Sequence, residues 1–275
     1  MTKDFGKSDW LYQSRIAPNL KEKIKCLEHV LLIDPDDGDV WFDLGDIHYE
    51  NSNDKANYCW KIATKCYTKR LERFKEDAIK YRKNSNHLLF MDVSSANVLD
   101  EISSKMFSLA SAYYNLDKYS LSAQYYLKSC EINSKSIDSL YYASRAFYEL
   151  EQFDDAIKYV KQYIEKTDGY KSHYHLGLCY WKSNQIFLAQ ESFWECIEKT
   201  HNDATSHYYK SLSFHALGSK KHEELFLKKA IRADANNIEY KYDLIKFYEE
   251  NNDSKNAQKY YNKIHKSKKG SKNRE

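Results

Sequence analysis

Four carboxylates, Asp34, Asp36, Asp37 and Asp39, fall within six residues and resemble in outline a cation-binding loop. A calcium loop with Gly38 at its sixth place would need oxygen ligands from Ile33 and Pro35, whose side chains have none. A capped, solvated turn is the better reading of that run. His173 and His175 stand two apart on a helical stretch, so their rings diverge and do not share a metal readily. Cys196 and His201 have no second pair near them in sequence. The six cysteines (Cys26, Cys59, Cys66, Cys130, Cys179, Cys196) contain no C-x-x-C pair and mostly sit among apolar helical residues, as buried thiols do in a reducing compartment. The chain has no G-x-S-x-G elbow, no phosphate-cradling glycine loop and no H-E-x-x-H. The expectation is therefore a protein without catalytic residues, metal or cofactor.

The residues best suited to contact a ligand are aromatic. Phe107, Tyr141, Tyr174, Tyr208 and Tyr242 follow one another at 34, 33, 34 and 34 residues. Seven residues after each stand Tyr114, Tyr148, Trp181, His215 and Glu249, with Tyr142, His175 and Tyr209 alongside. Such rings give large contact area at low entropic cost and carry a hydrogen-bonding tip. They could equally pack between neighbouring helices, and the spacing alone leaves both readings open.

These columns belong to a repeat. Tyr113, Phe147, Tyr180, Phe214 and Tyr248 keep the same spacing. So do Leu109, Ala143, Leu176, Lys210 and Leu244, the set Ala110, Ser144, Gly177, Ser211 and Ile245, and the set Ser122, Ala156, Ala189, Glu223 and Ala257. Within a unit the apolar residues recur at three- and four-residue steps, as Leu109, Ala112, Tyr113, Leu116 and then Ala123, Tyr126, Leu127, Cys130, which makes each unit two helices. Between them lie the polar turns 115–118, 182–185 and 251–254, where Asn, Asp and Ser are expected to cap the next helix. The small residues let paired helices approach closely. One pair cannot bury its apolar face alone, so units must stack.

Trp41-Phe42-Asp43-Leu44-Gly45 followed by Ala56-Asn57-Tyr58, and His175-Leu176-Gly177 with Tyr180, Ala189 and Phe193, resemble the tetratricopeptide repeat. The resemblance is strong over 105–264 and fair over 20–69. It implies an all-α fold, a right-handed superhelical α-solenoid of stacked antiparallel helix pairs. The organisation expected is N-terminal repeat-like helices over 1–69, a long-helix extension or degenerate repeat over 70–104, five tandem units over 105–264, and a basic, disordered tail over 265–275. Lys210, Glu223 and Ile245 depart from the pattern, and the units carrying them are expected to pack less regularly.

In that family the first helix of each pair faces a concave groove. The resemblance thus implies a peptide-binding set of Phe107, Tyr114, Tyr141, Tyr142, Arg145, Tyr148, Tyr174, His175, Trp181, Tyr208, Tyr209 and Tyr242. Some members clamp a chaperone's terminal carboxylate with Lys, Asn and Arg. Here Lys171 matches one Lys, but His175 replaces the Arg and Tyr142 an Asn, which argues against that ligand.

From Trp41 to the matching Met106 is an offset of 65 residues, three short of two repeats. Trp60, Ala63, Tyr67, Leu71, Phe74, Ala78 and Tyr81 keep helical steps without a breaker, which favours one helix of about 45 Å over 54–84. Asn84-Ser85-Asn86 reads as a turn, and Leu88-Leu89-Phe90-Met91 as an apolar run that docks locally.

The net charge of +3 announces no nucleic-acid or membrane partner, although it is unevenly spread. Residues 34–54 hold eight acidic side chains and no Lys or Arg, whereas 61–84 hold nine basic and three acidic. The polar start MTKDFGKSDW lacks the apolar stretch of a secretory signal, and no run is apolar enough for a membrane span. Together these features predict a cytoplasmic, non-enzymatic adaptor or scaffold holding another protein or peptide in an aromatic-lined groove. The alternative is an RNA-binding helical-repeat protein using the basic 61–84 helix and the C-terminal tail, and nucleic acid is the less favoured partner because the repeats carry few groove-side cations beyond Arg145, Lys171, Lys182 and Lys246.

Overall fold

A computed structural model describes residues 5–49, 52–84 and 94–271. The Leu88–Met91 run and the turn after Asn84 lie outside them. Among the described residues all regular structure is helical, and the chain divides into two compact units, Met1–Gln152 and Phe153–Glu275.

The first unit holds α1 (Lys7–Ile16), α2 (Leu20–Ile33), α3 (Gly38–Tyr49), α4 (Asn53–Asn84), α5 (Ser94–Asn115), α6 (Tyr119–Ile132) and α7 (Asp138–Glu149). Helices α1 and α2, α3 and α4, and α5 and α6 pack as sequential antiparallel pairs, and each pair rests on the next through α2 on α3, α4 on α5 and α6 on α7. The second unit holds α8 (Phe153–Thr167), α9 (Tyr170–Lys182), α10 (Ile186–Lys199), α11 (Ala204–Ala216), α12 (Lys220–Ala233), α13 (Ile238–Glu250) and α14 (Ser254–Ser271). Its pairs are α9 with α10, α11 with α12, and α13 with α14, joined through α8 on α9, α10 on α11 and α12 on α13. This is the α-solenoid class. Helix α5 starts eleven residues before position 105, and α14 stays helical through Ser271 instead of ending at 264.

The small-residue columns explain the close pairs. Ala110, Ala143 and Ser144 are fully buried, and a Cβ added at Gly177 would meet the Phe193 ring at 2.6 Å. Serine fills many of these tight positions. Ser103 Oγ donates to the Ser129 carbonyl at 2.9 Å, and it lies 2.9 Å from the Ser129 hydroxyl and 2.7 Å from that of Ser136, joining α5, α6 and the loop before α7. Each of these buried hydroxyls is satisfied, so the knot carries no desolvation penalty of an unpaired group.

The turns work differently from the sequence expectation. Asp117, Glu151, Asn184 and Asn252 adopt φ of 57–60°, and Gly218 has φ 72°. These five recur at the repeat spacing, so each turn needs one left-handed residue, which Asn, Asp and Gly adopt at least cost. Lys118 N–H then donates to the Tyr113 carbonyl at 2.9 Å and Gln185 N–H to that of Tyr180 at 2.8 Å, closing the helix end. Neither α6 nor α10 has a side-chain cap. Only the third turn caps as expected, with Asp253 accepting from Asn256 N–H at 3.1 Å.

The irregular residues find local solutions. Ile245 is buried in the α12–α14 core, and Lys210 Nζ lies 5.1 Å over the Phe226 ring. Glu223, in a column of Ala and Ser, is buried and accepts from His215 Nδ1 at 3.0 Å, while burial raises its carboxyl above the usual range.

The acidic run at 34–39 is an ion-pair hub. Lys7 Nζ reaches Asp34 at 2.6 Å and Asp37 at 2.8 Å, Lys69 pairs with Asp36, and Lys105 Nζ reaches Asp39 at 2.6 Å. Lys7 donates a hydrogen bond that holds Asp34 below the ordinary carboxylate range, and Asp34 and Asp37 raise the Lys7 ammonium in turn. A carboxyl depressed on folding stabilises above its unfolded pKa, near 4, and the contribution is lost as pH falls through the lower folded value. Asp34→Asn is therefore expected to melt slightly lower than wild type at pH 7, by under about 1 kcal/mol for this partly exposed pair. The difference should shrink toward zero as pH falls below about 3. Thermal melts of both proteins across that range check this, and a pH-independent gap would remove the pair from the account.

Candidate functional site

Three helices of the first unit direct side chains at one cleft. On α3, Phe42, Asp46 and Tyr49 share a face at steps of four and three; on α5, Phe107, Ser111 and Tyr114 do the same, and α7 adds Tyr142, Arg145 and Glu149. Asn53, Asn57 and Trp60 of α4 and the buried Tyr126 of α6 close the back and floor. The space is about 720 Å³, the size of a small ligand or several peptide side chains.

Ring packing sets the floor. Phe107 meets Tyr126 edge-on at 5.1 Å and Tyr142 at 5.3 Å, while Tyr126 and Tyr142 stack at 5.6 Å. The Tyr126 and Ser111 hydroxyls are bonded at 2.8 Å, and burial pushes the Tyr126 phenol well above its ordinary value. Tyr114 donates to Glu149 Oε1 at 3.1 Å. The Arg145 guanidinium lies 5.3 Å over the Tyr114 ring and 6.0 Å over that of Tyr142, a cation–π arrangement. On α3, Asp46 Oδ1 accepts from Trp60 Nε1 at 3.1 Å and Asn115 Nδ2 at 3.2 Å. Crowding by surrounding protein raises the Asp46 carboxyl, against the lowering effect of the indole hydrogen bond.

Four residues of the expected groove set, Phe107, Tyr114, Tyr142 and Arg145, meet in this cleft. Tyr141 is half-buried with its ring edge-on to Tyr142 at 5.5 Å, and neither it nor the half-buried Tyr148 lines the cleft. In the second unit the rings pack on one another. Tyr174 meets Phe193 at 5.7 Å and Tyr209 at 5.4 Å, and Tyr208 packs at a tilt on Tyr240 at 4.8 Å while donating to Asp243 at 2.7 Å. His175 requires a correction. It is buried with Nε2 3.7 Å from Cys179 Sγ, because its position on α9 points into the helix packing, so it offers no ring to a ligand in this conformation. Trp181 and Tyr242 are both 45% exposed. Lys171 Nζ lies 5.8 Å over the Tyr209 ring.

Phe42, Asp46 and Tyr49 stand outside the aromatic columns, yet their register is present in the sequence. The 65-residue offset that matches Trp41 with Met106 also matches Phe42 with Phe107, Asp46 with Ser111 and Tyr49 with Tyr114. Among the described residues no cluster of three or more His, Cys, Asp or Glu could hold a metal, and no helix is long and apolar enough to cross a membrane.

Sequence profiles described as tetratricopeptide repeat match residues 106–136 and 141–186. This chain carries tetratricopeptide repeats. No curated protein sequence matches it. Among solved structures it is similar to yeast Tom70, with 14% identity and a TM-score of 0.52 over 95% of this chain and 60% of that one. It is also similar to a thermophilic tetratricopeptide-repeat protein of Thermus thermophilus, with 17% identity and a TM-score of 0.50 over 58% of this chain and 89% of that one. MamA of Desulfovibrio magneticus aligns at 15% identity and a TM-score of 0.45, over 61% of this chain and 96% of that one. At these identities the likeness is one of fold. Tetratricopeptide arrays are protein–protein interaction scaffolds, and that is the general class of this chain.

Proposed function

We propose that this tetratricopeptide-repeat protein is a non-catalytic adaptor that holds an extended peptide or helix of a partner protein in the aromatic cleft of its first unit. The observation that supports this reading most is the convergence of Phe107, Tyr114, Tyr142 and Arg145, from two different repeats, on one open space of about 720 Å³. Rings used only for packing would be expected to close such a space. Here they line it, with amide side chains at Asn53, Asn57 and Asn115 able to bond a peptide backbone.

The test uses peptides selected on the full chain from a random display library. Tyr114→Ala combined with Tyr142→Ala should weaken the selected peptides by about thirtyfold for each ring that acts as a hot spot. Phe187→Ala on α10, where the ring is 71% exposed and remote from the cleft in sequence, should leave their affinity unchanged. Circular dichroism confirms that each variant is folded. Selected peptides that bind the folded double variant as tightly as wild type would exclude the cleft.

A further inference from the structure

Resting on that cleft as the binding site, we infer that its ligand is a basic peptide segment whose Lys or Arg side chain seats against Asp46 beside the rings of Phe42 and Tyr49. The lining carries three carboxylates, Asp46, Asp117 and Glu149, against the single cation Arg145, a net charge of −2. Arg145 makes no ion pair with Asp46. It is held by two tyrosine rings, and its Nη2 reaches the Tyr114 hydroxyl at 3.5 Å, which in turn donates to Glu149 at 3.1 Å. The guanidinium and Glu149 thus share Tyr114 and balance one another.

Asp46 has a different environment. Its bonds come from neutral donors, the Trp60 indole at 3.1 Å and the Asn115 amide at 3.2 Å, and among the described residues no Lys, Arg or His lies within ion-pair distance. Asp43, on the same helix, adds negative potential there. The other carboxylate run in this unit behaves otherwise: Asp34, Asp36, Asp37 and Asp39 are all matched by lysines of the chain itself. An uncompensated carboxylate therefore stands in the cleft. Beside it, Tyr49 and Trp60 lie 5.7 Å apart and Tyr49 is 61% exposed, so an aromatic face stands open to solvent next to the acid. Carboxylate plus ring faces attract a cation by charge and by the ring quadrupole together. An anionic ligand, a nucleic acid included, would meet repulsion at Asp46.

The test starts from the same display selection and reads composition. Recovered peptides should be enriched in Lys and Arg next to apolar residues, and their affinity should fall as salt is added. Asp46→Asn keeps an oxygen acceptor for Trp60 and Asn115, so the fold is retained while the charge is lost. This variant should bind an enriched peptide roughly tenfold more weakly and lose much of its salt dependence. Replacing the peptide's Lys or Arg by Ala should weaken wild type to a similar degree but leave Asp46→Asn nearly unchanged. Peptides that bind through Tyr114 and Tyr142 but show no enrichment in cations, or that bind Asp46→Asn normally, would overturn this inference and leave the adaptor reading intact. Selected acidic peptides would overturn it as well. Binding indifferent to Tyr114 and Tyr142 would instead remove the cleft itself.

Discussion

Gly177→Leu is expected to lower the stability of the second unit by about 3 kcal/mol or more, the upper range for overpacking a tight contact. A Cβ at this position would lie 2.6 Å from Phe193 Cε1 and 2.7 Å from Cδ1. The Phe193 ring cannot withdraw, because it is fully buried against Tyr174. Leucine adds three further carbons to that clash, so α9 and α10 must separate. The melting temperature should fall by on the order of 10 °C. Because each repeat touches mainly its neighbours, the damage should be local. Amide exchange should quicken in α9 and α10 and stay unchanged in α2 and α3. Combining Gly177→Leu with Phe193→Ala should recover part of the loss. An unchanged melt for Gly177→Leu would mean that the two helices do not meet there.

Gly177 was identified as a tight contact from sequence alone, and the reason is physical. Helix pairing is governed by short-range periodicity and by the size of the residue at the crossing point, and both are written locally. Tyr180, Phe214 and Tyr248 are buried for the same reason. The candidate site is less legible. A cleft needs side chains from helices far apart in the chain, and three residues missing between Trp41 and Met106 break the register that would have aligned α3 with α5. Phe42, Asp46 and Tyr49 fell outside the columns on that account. The spacing of Tyr174 and Tyr208 could not distinguish rings offered to a ligand from rings packed on Phe193 and Tyr240, since both follow the same repeat. Buried Ser103 and Ser129 were illegible for another reason. A hydroxyl reads as a surface group until its partner, contributed 26 residues away, is known.

Trp60→Ala is expected to cost the first unit about 3–5 kcal/mol, the usual range for deleting a large buried ring. Trp60 is only 3% exposed, and its indole covers Gly45 on α3 while donating to Asp46 on the same helix. A methyl group at position 45 would lie 2.9 Å from Trp60 Cε2 and closer still to the pyrrole edge. Gly45→Ala in the wild-type protein should therefore destabilise by about 1–3 kcal/mol, even though alanine is the better helix former by about 1 kcal/mol. In the Trp60→Ala background the clash is gone and the added methyl fills part of the cavity. There the same substitution should stabilise, by up to about 1 kcal/mol from helix propensity alone. A double-mutant cycle of urea melts reads the coupling directly, and the reversal of sign is its signature. Trp60→Phe separates the remaining role of the indole: it keeps most of the packing but removes the N–H that Asp46 accepts, so it should change peptide affinity more than stability. If Gly45→Ala costs the same with and without Trp60, the indole is not what requires glycine at that position, and the wall of the cleft beside Asp46 is held by something else.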